Sequence, residues 1–84
     1  MKTNKVLYAA YMEVVENQIR DNTPPETRIT FDRLKREGFS ELDAKKYIAQ
    51  VIASETFWMM KKKEPYNLKR FIKNLNRLPA DPEE

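Results

Sequence analysis

Glu55 is the residue of this chain most open to a chemical reading, because helical spacing sets it among Ile48, Val51, Trp58 and Met59 rather than among the charges. A carboxylate on an apolar face needs a partner. Gln18 holds a matching place at the end of an apolar stripe near the start of the chain, so a hydrogen bond from Gln18 or Tyr11 to Glu55 would tie two helices together. In a small apolar pocket the same carboxylate would have a raised pKa and become a site group. Nothing stands ready to complete a reaction with it. The chain has no His and no Cys, which removes His general bases, thiol nucleophiles, disulfides and the usual zinc ligand sets together. Glu13 and Glu16, three apart on the outer face of one helix, do not make a metal centre without further ligands. The expectation is a chain that is not an enzyme, with no catalytic residue, no metal and no cofactor.

A second constellation is electrostatic. Residues 61–77 hold seven bases, Lys61, Lys62, Lys63, Lys69, Arg70, Lys73 and Arg77, against the single acid Glu64. Lysines and arginines clustered in this way, with Trp58, Tyr66 and Phe71 interleaved, could follow a phosphate backbone and stack on bases. Lys61, Lys62, Lys63, Lys69, Arg70 and Lys73 are the candidate nucleic-acid patch. The competing reading is structural: Lys61 to Lys63 sit where a helix C-terminus favours cations, the later bases form a solvated face, and the aromatics belong to the core. The acidic residues 78–84 could also fold over the patch and cancel part of its charge.

These side chains are carried by helices, because one Gly and five Pro leave few places to turn. Leu7, Ala10, Tyr11, Val14 and Val15, widened by Tyr8, Met12 and Ile19, predict a helix over 4–21. Thr23-Pro24-Pro25-Glu26 fits a capping box that opens a second helix over 24–37. Gly38 ends that helix in a left-handed residue, and Phe39 is placed to pack back on Leu34. Ser40 is the N-cap of a third helix over 41–63, with Glu41 and Asp43 in the first turn. Asn67 caps a fourth over 67–77, in which Leu68, Phe71, Ile72 and Leu75 share a face. Arg28, Arg33 and Arg36, near Asp32 and Glu37, read as a salt-bridged exposed surface. The corner at Gly38-Phe39-Ser40 has the form of a helix-turn-helix, but phosphates would repel a recognition helix that opens on Glu41 and Asp43.

The whole is an all-α, compact four-helix domain over residues 1–79 with a buried central third helix, followed by a frayed acidic tail over 80–84. The third helix is apolar on two nearly opposite faces, Ala44, Tyr47, Ile48, Val51, Ile52, Trp58 and Met59 on one, Ala49, Ala53, Phe57 and Met60 on the other. Eighty-four residues bury only about 60 to 65% of their unfolded surface, so covering both faces is difficult. The uncovered face predicts a homo-oligomer, most simply a twofold dimer through helices 1 and 3. Its candidate interface is Tyr8, Met12, Ala49, Ala53, Phe57 and Met60. A net charge of +3, 35% charged residues and the absence of a long apolar run exclude a membrane span and place the expected site of action in the cytoplasm. The leading functional expectation is contact with other proteins, with the basic end steering an acidic partner. Weak, sequence-tolerant nucleic-acid binding is the alternative.

The segments Val14-Val15-Glu16-Asn17-Gln18-Ile19, Pro24-Pro25-Glu26, Arg33-Leu34, Glu37-Gly38-Phe39-Ser40, Ala44, Ile48 and the closing Leu75 to Pro79 resemble, in order, a family of small bacterial helical domains. The resemblance spans nearly the whole chain and implies the same helical fold, since its motifs are caps, turns and core. In such relatives histidines stand at positions close to Tyr8, Leu42 and Lys46. Their absence here implies that any metal site they form is missing from this chain, and the resemblance transfers no catalytic residue.

Overall fold

In the computed structural model, which describes residues 5–84, four helices follow one another. They are α1 (Lys5–Asp21), α2 (Pro25–Arg36), α3 (Glu41–Lys62) and α4 (Leu68–Arg77), with no strand among the described residues. The expected all-α four-helix domain is the observed one, with each boundary within a residue of its expected place; Asn4, the expected first helical residue, lies outside the described residues. Both α2 and α3 touch all the other helices, whereas α1 and α4 make no contact with each other among the described residues. Of the two, α3 packs more extensively on the others and is the central helix, as expected, with α1 on one side and α4 on the other.

The helix ends show why the chain breaks where it does. Ser40 Oγ accepts from Asp43 N at 3.0 Å, and Asn67 Oδ1 accepts from Arg70 N at 2.9 Å, so α3 and α4 each open on a side-chain cap. At the end of α2, Gly38 takes φ 103° and the Phe39 N–H donates to Leu34 O at 3.1 Å, a backbone bond that satisfies one of the last free carbonyls. Phe39 packs on the core and meets the Tyr47 ring edge-on at 5.2 Å. Two further helices end in the same way without glycine. Asn22 (φ 54°) follows α1 with Thr23 N–H donating to Gln18 O, and Lys63 (φ 52°) follows α3 with Glu64 N–H donating to Met59 O. The capping box expected at Thr23 does not form. The Thr23 hydroxyl donates back to Asp21 O at 3.1 Å, and α2 starts after Pro24 with no side-chain cap. Proline supplies a helix-ready φ and no donor at that end, so little is left for a cap to satisfy.

The core is built by Val15 from α1, Phe31 and Leu34 from α2, Ala44, Ile48, Ala49, Val51 and Ile52 from α3, and Phe71, Leu75 and Leu78 at the far side. Tyr11, Met12 and Ile19 pack against it while Leu7, Ala10 and Val14 stay exposed, so the inward stripe of α1 is turned from the expected one. The cause is polar. Gln18 faces α2, where its Oε1 accepts from the fully buried Thr27 hydroxyl at 2.8 Å. Arg33, expected on the surface, donates to the carbonyls of Leu75 and Leu78, both at 3.0 Å, and closes the C-terminal end of α4. Lys45 bridges α3 to α1 through Glu16 (2.6 Å) and pairs within α3 with Glu41 (3.0 Å). Residues 80–84, expected to fray, lie along α4 rather than away from it, because Asn74 hydrogen-bonds both backbone groups of Glu83.

Two outcomes follow from these contacts. A left-handed lysine costs roughly 1 kcal/mol that glycine does not, so Lys63→Gly should raise unfolding stability by about 0.5 to 1 kcal/mol; chemical denaturation showing no gain would remove the strain. The hydrogen bonds that Lys45 donates to Glu16 and Glu41 raise its pKa above the usual lysine value. The folded chain therefore keeps a proton that the unfolded chain gives up. This stability is fully present below about pH 10 and is lost as the pH rises through the folded value. Melting temperature should therefore fall above pH 10, less steeply in Lys45→Met; a profile that is the same in both proteins would contradict the bridge.

Candidate interaction surface

Glu55 is not a lone carboxylate in a pocket. It lies 3% exposed on α3 and is gripped by Arg70, itself 7% exposed on α4. Arg70 donates through Nε to Glu55 Oε1 at 2.7 Å and through Nη2 to Oε2 at 3.0 Å, a two-pronged pairing of planar groups. The backbone N–H of Asn67 donates to Oε2 at 2.9 Å, and Arg70 Nη1 reaches Glu64 Oε1 at 2.8 Å. Glu55 and then Glu64 drive the guanidinium pKa still further above its usual range. The partners expected for Glu55 were Gln18 and Tyr11. Gln18 is instead committed to Thr27 on α2, and Glu55 faces α4, the opposite side of the molecule from α1. A carboxylate holding three donors, two from a guanidinium, is placed to fasten α4 to α3, not to move a proton.

The same pairing removes Arg70 from the basic patch. Lys62 pairs with the Glu84 carboxylate, Arg77 with Glu83 at 2.8 Å, and Lys73 donates to Glu84 O at 3.4 Å, so the acidic tail does lie over this face. Lys61, Lys63 and Lys69 remain exposed, with no carboxylate paired to them among the described residues. No group of three metal-ligating side chains occurs among the described residues, and Tyr8 lies on α1 while Leu42 and Lys46 lie on α3. Lys46 borders an open hollow with Phe39, Asp43, Tyr47 and Gln50. No described helix is long and apolar enough to cross a membrane.

The six residues expected to form a dimer interface separate into two groups. Ala49 is 6% exposed because α1 packs directly on α3, and Tyr8, Met12 and Ala53 are half-buried, so much of that face is covered within one chain. Ala49 cannot supply surface to a second copy. Phe57 and Met60 are 53% and 74% exposed. The difference is one of length. A 22-residue helix is about 33 Å long in a molecule 36 Å across its longest dimension, and helices of 17, 12 and 10 residues cannot wrap it from end to end. Glu16, near the end of α1, meets Lys45, near the start of α3, so the opposite end of α3 is the one left open.

At that end Phe57 and Trp58 meet edge-to-face at 5.0 Å. Lys61 Nζ lies 5.6 Å from the Phe57 ring and 6.0 Å from the Trp58 ring, and Lys62 Nζ 5.8 Å from the Trp58 ring. The result is an apolar patch with a cationic rim, the lysines held over the aromatic faces. No protein-family model, curated protein or solved structure matches the chain. What it does must be read from this surface.

Because Glu55 holds the buried Arg70 guanidinium, Glu55→Gln should lower stability by about 3 kcal/mol, leaving that guanidinium buried and half-paired. The double replacement Glu55→Leu with Arg70→Met should recover most of that loss. A single variant that melts with the parent protein but alters binding would return Glu55 to the list of functional groups.

Proposed function

We propose that this chain is a non-enzymatic helical module that binds an acidic, amphipathic segment of another protein at the open end of α3. The exposure of Phe57 and Met60 near Trp58, with Lys61 held over the Phe57 and Trp58 rings and with no carboxylate paired to it among the described residues, carries this reading. Apolar side chains of a partner would bury Phe57 and Met60, and its carboxylates would meet the lysines, which set encounter rate and register more than affinity. A twofold dimer fits this end less well, since two copies would bring their lysine rims face to face. Nucleic-acid binding has weaker support: Arg70 is withdrawn into the Glu55 pair, and Lys62 and Lys73 meet the chain's own tail.

The reading is tested by capture from native lysate with the full chain as bait, at low and at high salt, alongside the variant Phe57→Ser with Met60→Glu. Both positions are exposed, so helix content should be unchanged by circular dichroism. Bound protein should survive moderate salt and drop at least tenfold with the variant, whereas counterion release would strip nucleic acid steeply as salt rises. Equal capture by both baits, or nucleic acid alone in the eluate, would overturn the proposal. A stable dimer of the purified chain at tens of micromolar would favour the twofold reading instead.

A further inference from the structure

The outer face of α4 carries a second arrangement, which shares only Lys62 with the end of α3. Asn74 is 2% exposed, yet its amide serves neither its own helix nor a neighbouring one. Nδ2 donates to Glu83 O at 2.6 Å, and Oδ1 accepts from Glu83 N at 2.8 Å, so the amide reads both polar groups of one residue in an extended strand of chain. Cations flank it. Arg77 Nη2 contacts the Glu83 carboxylate at 2.8 Å and donates to Asp81 O at 3.3 Å; Lys62 pairs with the Glu84 carboxylate, and Lys73 donates to Glu84 O at 3.4 Å. A buried amide aimed at a peptide backbone, with cations at the side-chain positions, is the chemistry of a site for an extended acidic peptide.

The tail does not fill this site well. Arg77 Nε is buried and has no acceptor among the described residues, although an unpaired buried donor is costly. Apart from Pro82, residues 80–84 are exposed and bring no large apolar side chain to anchor them. A segment held mainly by surface ion pairs and a few hydrogen bonds opens easily. We infer that the α4 face framed by Lys62, Lys73, Asn74 and Arg77 is a docking site for an extended acidic segment of a partner protein, occupied in the free chain by residues 81–84. The tail acts as a tethered competitor. A short tether gives it an effective concentration in the millimolar range, so a partner must exceed that to displace it.

The test uses the full chain and the variant Glu83→Ala with Glu84→Ala, which loses the two tail carboxylates that pair with Arg77 and Lys62, keeps Asp81, and leaves the fold's core contacts untouched. Each protein, labelled with nitrogen-15, is titrated with a synthetic peptide of residues 80–84. The peptide should shift the Asn74 side-chain amide in both proteins and bind the variant at least tenfold more tightly than the parent chain. Arg77→Gln in the variant background should weaken binding severalfold while the rest of the spectrum stays in place. Equal affinity for both chains, or no movement of the Asn74 amide, would overturn the inference. So would a single-stranded oligonucleotide of matching charge that reproduces the shifts, because backbone recognition by Asn74 requires a peptide.

Discussion

A carboxylate and a guanidinium taken out of water together fix how two helices of this small domain meet. Neither Glu55 nor Arg70 can stay buried without the other, because each alone would forfeit its hydration with nothing to replace it. The pairing therefore fixes where α4 lies against α3, and Asn67 extends it, since the residue that caps α4 also donates its N–H to Glu55. From the other end Arg33 closes α4 by binding the carbonyls of Leu75 and Leu78. A ten-residue helix too short to be stable alone is held at both termini by charged side chains from α3 and α2.

The other constraint is area. A helix apolar on two faces is sheathed by α1, α2 and α4 as far as Glu55, and among the described residues Phe57 and Met60 beyond it stay exposed. The exposed aromatic and methionine side chains thus stand at one end of the rod rather than along a face. Because cations favour that same helix end, the apolar patch acquires its lysine rim from the same local physics that terminates α3. The acidic tail then covers the basic surface of α4 and also takes up Lys62 at the end of α3.

Much of this was legible beforehand. Gly38, Ser40 and Asn67 are local signals whose chemistry depends on a few neighbouring residues, and each does what its type suggests. Thr23 failed for an equally local reason: Pro24 and Pro25 left few free amides to cap. Asn22 and Lys63 were harder, because a left-handed residue other than glycine carries little signature of its own. The buried Thr27 and Thr30 were missed because apolar periodicity does not count hydroxyls, although Thr27 sets the rotation of α1 through Gln18.

Composition and spacing alone determined the helices, their order, the apolar excess of α3, the strangeness of Glu55 and the lack of His or Cys chemistry, since all of these depend on residues close together in the chain. Only tertiary structure could decide which helix answered Glu55, because Gln18, Tyr11 and Arg70 are all chemically able to do so and the choice depends on which side of α3 each helix takes. It also decided that α1 spends Ala49 inside the molecule, leaving Phe57 and Met60 for other uses, and that the tail meets a buried amide. Packing of segments distant in sequence is a three-dimensional competition for the same surfaces, and periodicity along a single helix carries no record of who wins it.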